Sequence, residues 1–167
     1  FATTPSGQIH GMPLAALLGH GDAALTAIDG PEAKLRPAHV CLIGVRSYEA
    51  GEAALRQRLG VRVCEMDEVR RRGLAAVFDE ALAIVRQGTA GFGVSVDLDA
   101  LDPEEEPGVG TPVPGGLSRA ELAAALSHLR GDPAFVAMEI VEYNPRRDHG
   151  HATADAAGAL VGAIIPL

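Results

Sequence analysis

Four short apolar runs, each separated from the next by a stretch of helical periodicity, constrain this chain more than any other feature. They lie at 39–45, 61–66, 92–96 and 134–142. The first is continuous rather than alternating, the pattern of a strand buried on both faces of a parallel sheet. Between them fall helix-like segments. One runs to about Leu59 and is punctuated by Gly60. In the next, Leu74, Val77, Phe78, Ala81, Leu82 and Val85 recur at helical spacing. A third opens at Ser118, with Glu121 at capping-box distance. Apolar helices are also expected from about Met12 to Leu18 and from Ala154 to Ile165. This alternation specifies an α/β fold of three αβα layers, with a doubly wound, mostly parallel sheet. No repeat or linker interrupts it, so residues 1–167 read as one domain.

The third run ends in Asp97, Asp99 and Asp102 and is stopped by Pro103. Continued as a strand, it puts Asp97 and Asp99 on one face, about 6.6 Å apart. Carboxylates at the carboxyl end of a buried strand lie where open α/β sheets bind ligands. Hard oxygen donors suit Mg²⁺, Mn²⁺ or Ca²⁺. The competing account is a strand running into an acidic turn, with Asp102 capping the segment after it.

Charge narrows the partners. Fourteen basic residues against 22 acidic ones give a net charge of −8, and no region gathers the cations that phosphate neutralisation needs, which argues against nucleic acid. Arg70-Arg71-Arg72 reads as the charged end of a helix. Cys41 and Cys64 form no CxxC pair, and free buried thiols in a reducing cytoplasm are the simplest account. With no 18-residue apolar span and no signal-peptide pattern, the expectation is a cytoplasmic protein without membrane contact.

The candidates for chemistry are His10, Glu49 with Glu52, Asp97 with Asp99, and Glu142, all at strand ends or in adjoining loops. Each has a plainer reading. His10 could cap a helix, Glu49 and Glu52 could sit at a helix N-terminus, and Glu142 could be a turn residue. His149 and His151, beside Arg146 and Arg147, read as a surface loop. Ser6 has no base partner in the sequence, which weighs against nucleophilic catalysis.

Three segments together resemble the arginase (ureohydrolase) family: Ser6-Gly7-Gln8-Ile9-His10-Gly11, the stretch from Ser95 to Pro103, and Glu139-Ile140-Val141-Glu142-Tyr143-Asn144-Pro145. Gly108 to Leu117 (GVGTPVPGGL) reinforces the likeness. The stretch from Arg46 to Glu52 is closer to arginases than to agmatinases. The resemblance implies a dinuclear Mn²⁺ site whose bridging hydroxide attacks a guanidinium carbon, converting L-arginine to L-ornithine and urea. Asp97 and Asp99 then match metal ligands and His10 a proton shuttle. Glu142 matches the carboxylate that holds the guanidinium, with Thr111 beside it. Glu49, Glu52 and Ser6 fall where the family reads the amino-acid end of its substrate. A small guanidino substrate and a homo-oligomer, trimeric or hexameric, are also implied.

Departures from the pattern leave alternatives open. The family's upstream His and its Asp-x-His-x-Asp motif are absent, and Phe1 would directly follow that motif. The expectation is therefore a C-terminal portion of a longer catalytic domain. Ala2 lies near where arginases carry an Asn. An agmatinase, guanidinobutyrase or formiminoglutamase is the nearest alternative. A non-catalytic or truncated subunit on the same fold is the alternative of another class.

Overall fold

The computed structural model describes residues 2–165, and Phe1, which the family resemblance leads one to expect just after a ligand motif, lies outside them. Two short helices, α1 (Pro13–Leu17) and α2 (Ala23–Thr26), precede the first strand. The chain then alternates β1 (Cys41–Val45), α3 (Ala50–Leu59), β2 (Arg62–Glu65), α4 (Met66–Arg72) and α5 (Leu74–Arg86). It continues through β3 (Phe92–Asp97), α6 (Arg119–Ser127), β4 (Phe135–Val141) and α7 (Ala152–Ile164).

Local chemistry sets most boundaries. Gly60 closes α3 at φ 71, with its N–H turned back to the carbonyls of Arg56 and Gln57. At the start of α6, Ser118 Oγ accepts the Glu121 N–H at 3.2 Å and Glu121 Oε2 accepts the Ser118 N–H at 2.9 Å, which is the expected capping box. Arg70, Arg71 and Arg72 form the last turn of α4, as anticipated. Met66 does not extend the second strand; it opens α4, behind two acidic first-turn residues that favour a helix N-terminus. Helix α2, capped by Asp22 accepting from Ala24 N–H, had no counterpart among the helices expected from sequence.

The expected parallel α/β architecture is present. Its strands form two parallel pairs, β1–β2 and β3–β4, with no ladder between the pairs among the described residues. The first pair is covered on both faces. Cys41, Ile43 and Cys64 join the main core with α4 and α5, while Leu42 and Val63 pack with Leu14, Leu18 and Leu59 of the α1 and α3 region. The second pair is covered on one face. Phe92, Val94 and Val96 pair with β4 and enter the main core with α6 and α7, leaving Gly93, Ser95 and Val136 exposed on the other side. One core therefore runs beneath both pairs, with Leu98, Leu101, Val109, Leu126 and Leu160 fully buried. Each such leucine contributes about 1.5–3 kcal/mol.

No described helix is long and apolar enough to cross a membrane. Cys41 and Cys64 are free, and burial pushes the Cys41 thiol up to about 12, an inert setting for a sulfur nucleophile.

Candidate active site

Three carboxylates meet where β3 and β4 end. Asp97 is the last residue of β3 and pairs with Val141 of β4. Glu142 follows immediately, at φ 65. This left-handed conformation is one a side chain rarely adopts and is found preferentially at functional positions.

Asp99 corrects the strand geometry read from sequence. The strand stops at Asp97, and Leu98–Ala100 form a 3-10 turn, so the two aspartates do not share a strand face. Asp97 Oδ1 accepts the Asp99 N–H at 2.8 Å and caps that turn. Two carboxylates at i and i+2 fit an extended strand and a side-chain-capped turn equally well, which is why spacing alone misplaced Asp99. The Asp99 carboxylate is instead held from across the site: the Thr111 N–H reaches its two oxygens at 3.0 and 3.1 Å. Thr111 thus enters through its backbone.

Asp97 is exposed at its surface yet loses part of its solvation to the protein around it. That desolvation raises its carboxyl above the ordinary aspartate value; the Asp99 N–H opposes the rise, and the charges of Asp99 and Glu142 add to it. A crowded set of carboxylates that penalise one another's charge is a donor set a divalent cation would relieve. The hard-oxygen chemistry fits manganese or magnesium. The fit is partial, because no group of three or more His, Cys, Asp or Glu side chains with metal-binding geometry occurs among the described residues.

The loop before α1 connects this cluster to a second one. His10 sits in a 3-10 turn (Ile9–Gly11), with Nδ1 3.7 Å from Glu142 Oε1 and Nε2 against Gln8 Oε1. Both ring nitrogens thus face acceptor oxygens, and a neutral imidazole, with one N–H, can donate to only one of them at a time. At the other end of the loop, Thr4 Oγ1 donates to Glu49 Oε2 at 2.8 Å. The hydroxyls of Ser6 and Thr4 hold the Glu49 carboxyl below the usual glutamate range. Glu52 Oε2 accepts the Glu49 N–H at 3.3 Å, so Glu52 serves the helix start as its plainer reading proposed. Gly51 makes the docking possible: a Cβ there would stand 2.7 Å from Thr3 Oγ1.

Sequence reasoning missed several contributors. A Cβ on Gly110 would collide with Glu142 Oε2, so a larger residue there would push this carboxylate aside. Arg147, assigned to a surface loop with His149 and His151, donates to Gly110 O at 3.3 Å, while both histidines are exposed. Glu106 is fully buried and paired with Arg119 at 2.6 Å, bracing the loop from behind. Asp102 accepts from the N–H groups of Glu104, Gly115 and Gly116, a wider role than the local cap expected. The glycines were visible as loop formers, but which atoms they would let pass was not.

A parallel α/β scaffold that gathers carboxylates and a histidine at its strand ends defines a class: an α/β protein with an acidic, polar site at the strand tips. The family model described as "Arginase family" matches residues 1–165, and the chain belongs to that family. An arginase of Bacillus caldovelox is 46% identical over 162 residues, covering 97% of this chain and 54% of that protein. The native structure of the same arginase superposes with a TM-score of 0.95 over 99% of this chain, at 45% identity and covering 56% of that chain. An Entamoeba histolytica arginase crystallised with L-ornithine gives a TM-score of 0.89 at 30% identity, covering 99% of this chain and 55% of that one. A formimidoylglutamase of Bacillus subtilis gives 0.73 at 28% identity, covering 81% of this chain and 46% of that one. The chain spans about half the length of the curated relatives it matches.

Proposed function

We propose that the protein as encoded is a cytoplasmic, oligomeric arginase that hydrolyses L-arginine to L-ornithine and urea at a two-manganese site. One observation carries this reading: the strand-end carboxylates Asp97, Asp99 and Glu142 stand together with His10, whose Nδ1 is 3.7 Å from Glu142.

When bound, paired manganese ions supply a water of lowered pKa at neutral pH. Asp97 and Asp99 would hold them, completed by ligands beyond the described residues. Glu142 receives the guanidinium through paired charge-assisted hydrogen bonds, which fix its plane against the attacking water. His10 carries a proton between solvent and the leaving amine, with Gln8 fixing its ring. Ser6 and Glu49, one knit cluster at the far end of the same loop, take the α-carboxylate and α-ammonium ends; Glu52 supports Glu49.

The test is Glu142→Gln in the protein as encoded. Urea release from arginine should fall below detection while circular dichroism and manganese content stay unchanged; full activity overturns the role. Agmatine, guanidinobutyrate and formiminoglutamate, the last read as formamide, test the neighbouring specificities. A second reading, a non-catalytic subunit on this fold, is favoured by the lack of a three-ligand metal group among the described residues. Manganese below one ion per protomer in the protein as encoded, with no urea, would establish it.

A further inference from the structure

We infer that Arg46 is a positioning residue for the metal-holding end of β3, acting through a guanidinium clamp that ties β1 to both segments carrying Asp99's support. This rests on the proposed metal role of Asp97 and Asp99. Arg46 follows β1 directly, and its donors reach only backbone carbonyls. Nη2 donates to Asp99 O at 2.7 Å, to Leu101 O at 3.1 Å and to Val113 O at 2.7 Å. Nε donates to Val113 O at 3.1 Å, and Nη1 reaches Ala100 O at 3.4 Å. One side chain therefore grips the 3-10 turn that presents Asp99 and, at Val113, the loop whose Thr111 N–H holds the Asp99 carboxylate. The carboxylates facing it are those of Asp102, Asp99 and Asp97, and none takes it as a direct ion-pair partner. Its positive charge is thus shared across the acidic cluster rather than spent on one member.

The backbone is shaped to deliver it. The parallel register of β1 with β2 slips between Ile43 and Val45, so Gly44 is the extra residue of a bulge. Gly44 lies at φ 79, while a Cβ there would meet nothing closer than 3.8 Å. Conformation, not space, calls for glycine. Bulges bend and twist the strand that carries them, and this one lies two residues before Arg46, at the end of β1.

A planar five-donor fork can satisfy several carbonyls at once; a lysine ammonium keeps the charge but not the fork. Arg46→Lys and Arg46→Met, made in the protein as encoded and titrated with Mn²⁺ alone by calorimetry, separate geometry from charge. Manganese affinity should weaken about 10-fold in Arg46→Lys and up to about 100-fold in Arg46→Met, the range for residues supporting metal ligands. The manganese concentration giving half-maximal urea release should rise in parallel. At saturating manganese, the KM for arginine should return to the wild-type value, a split that a general loss of stability does not produce. Hydrogen exchange at the Thr111 amide should also accelerate in both variants, a readout independent of metal. Wild-type affinity and wild-type Thr111 exchange in Arg46→Lys overturn the clamp, even if Arg46→Met does not fold. If wild-type protein binds no manganese, the metal reading under Proposed function falls and takes this inference with it; equal binding by wild type and variants overturns the inference alone.

Discussion

Glu142 illustrates how one residue can be visible in sequence and still conceal its cost. Its place at the end of an apolar run was legible; its left-handed φ of 65 was not, because nothing local in Val-Glu-Tyr demands it. A non-glycine residue there costs about 1–2 kcal/mol, retained where the side chain has a task. Glu142→Gly should therefore keep the melting temperature within about 3 °C of wild type or raise it, while urea release is lost. A large fall in melting temperature would mean that the carboxylate is structural. Gly110 is the complement. Its φ is not in the left-handed region, so alanine is conformationally acceptable, but the added Cβ would drive into Glu142 Oε2. Displacing that carboxylate by about 1 Å can cost about 100-fold in rate. Gly110→Ala should thus lose kcat/KM for arginine on that scale with an unchanged circular dichroism spectrum; wild-type kinetics would remove the close approach from the site. Asp99 taught the converse. Its type and position were readable, but its geometry was not, because the turn that presents it is stabilised by Asp97 and by Thr111, twelve residues on.

At the scale of elements, legibility followed the range of the forces involved. The α6 capping box and the Gly60 stop are local hydrogen-bond chemistry, and both were readable from neighbours in sequence. The switch from β2 into α4 was harder, because apolar Val63, Cys64 and Met66 carry one pattern through two kinds of structure. A charge network also joins β2, α4 and α5, and apart from the i,i+4 pair of Glu68 with Arg72 no local pattern reveals it. Arg62 reaches Glu68 at 2.5 Å and Glu80 at 2.6 Å, and Arg72 reaches both at 2.6 Å. Arg62 first, then Arg72, holds the Glu68 carboxyl at about 2. A depressed carboxylate adds stability fully present above its unfolded value, about 4.3, and lost as pH falls toward the folded one. The melting-temperature gap between wild type and Glu68→Gln should thus be constant above about pH 5 and shrink steadily below about pH 4. Added salt should narrow it at neutral pH, because these side chains are partly exposed. A gap that widens on acidification would contradict the network's contribution.

The whole molecule is joined by its helices more than by its strands. The strand order could not be read locally, since pairing partners are chosen by distant segments; the sequence yielded a parallel sheet, and the structure divides its strands into two pairs. The main core bridges them through α5, α6 and α7, and two-stranded parallel pairs of this kind are not independently stable. Among the described residues each of the four strands pairs on one side only, and β3–β4 also leaves a face open at Gly93, Ser95 and Val136, the last 69% exposed. Unpaired edges exchange their amides readily and invite pairing with other strands. The proposed site sits at the tips of this half-covered pair, so its rigidity depends on what lies against those edges. The curated relatives are nearly twice as long, which leaves ample chain in such proteins to cover them. Hydrogen exchange followed by mass spectrometry should therefore show weaker protection of 92–97 and 41–45 than of α5 and α7 in the 167-residue chain. In a form extended to the length of those relatives, protection of both strands should rise by about tenfold or more, in step with tighter manganese binding. Equal protection in the two preparations would mean that nothing further pairs with these strands, and that the acidic cluster must hold its metal on the four strands described.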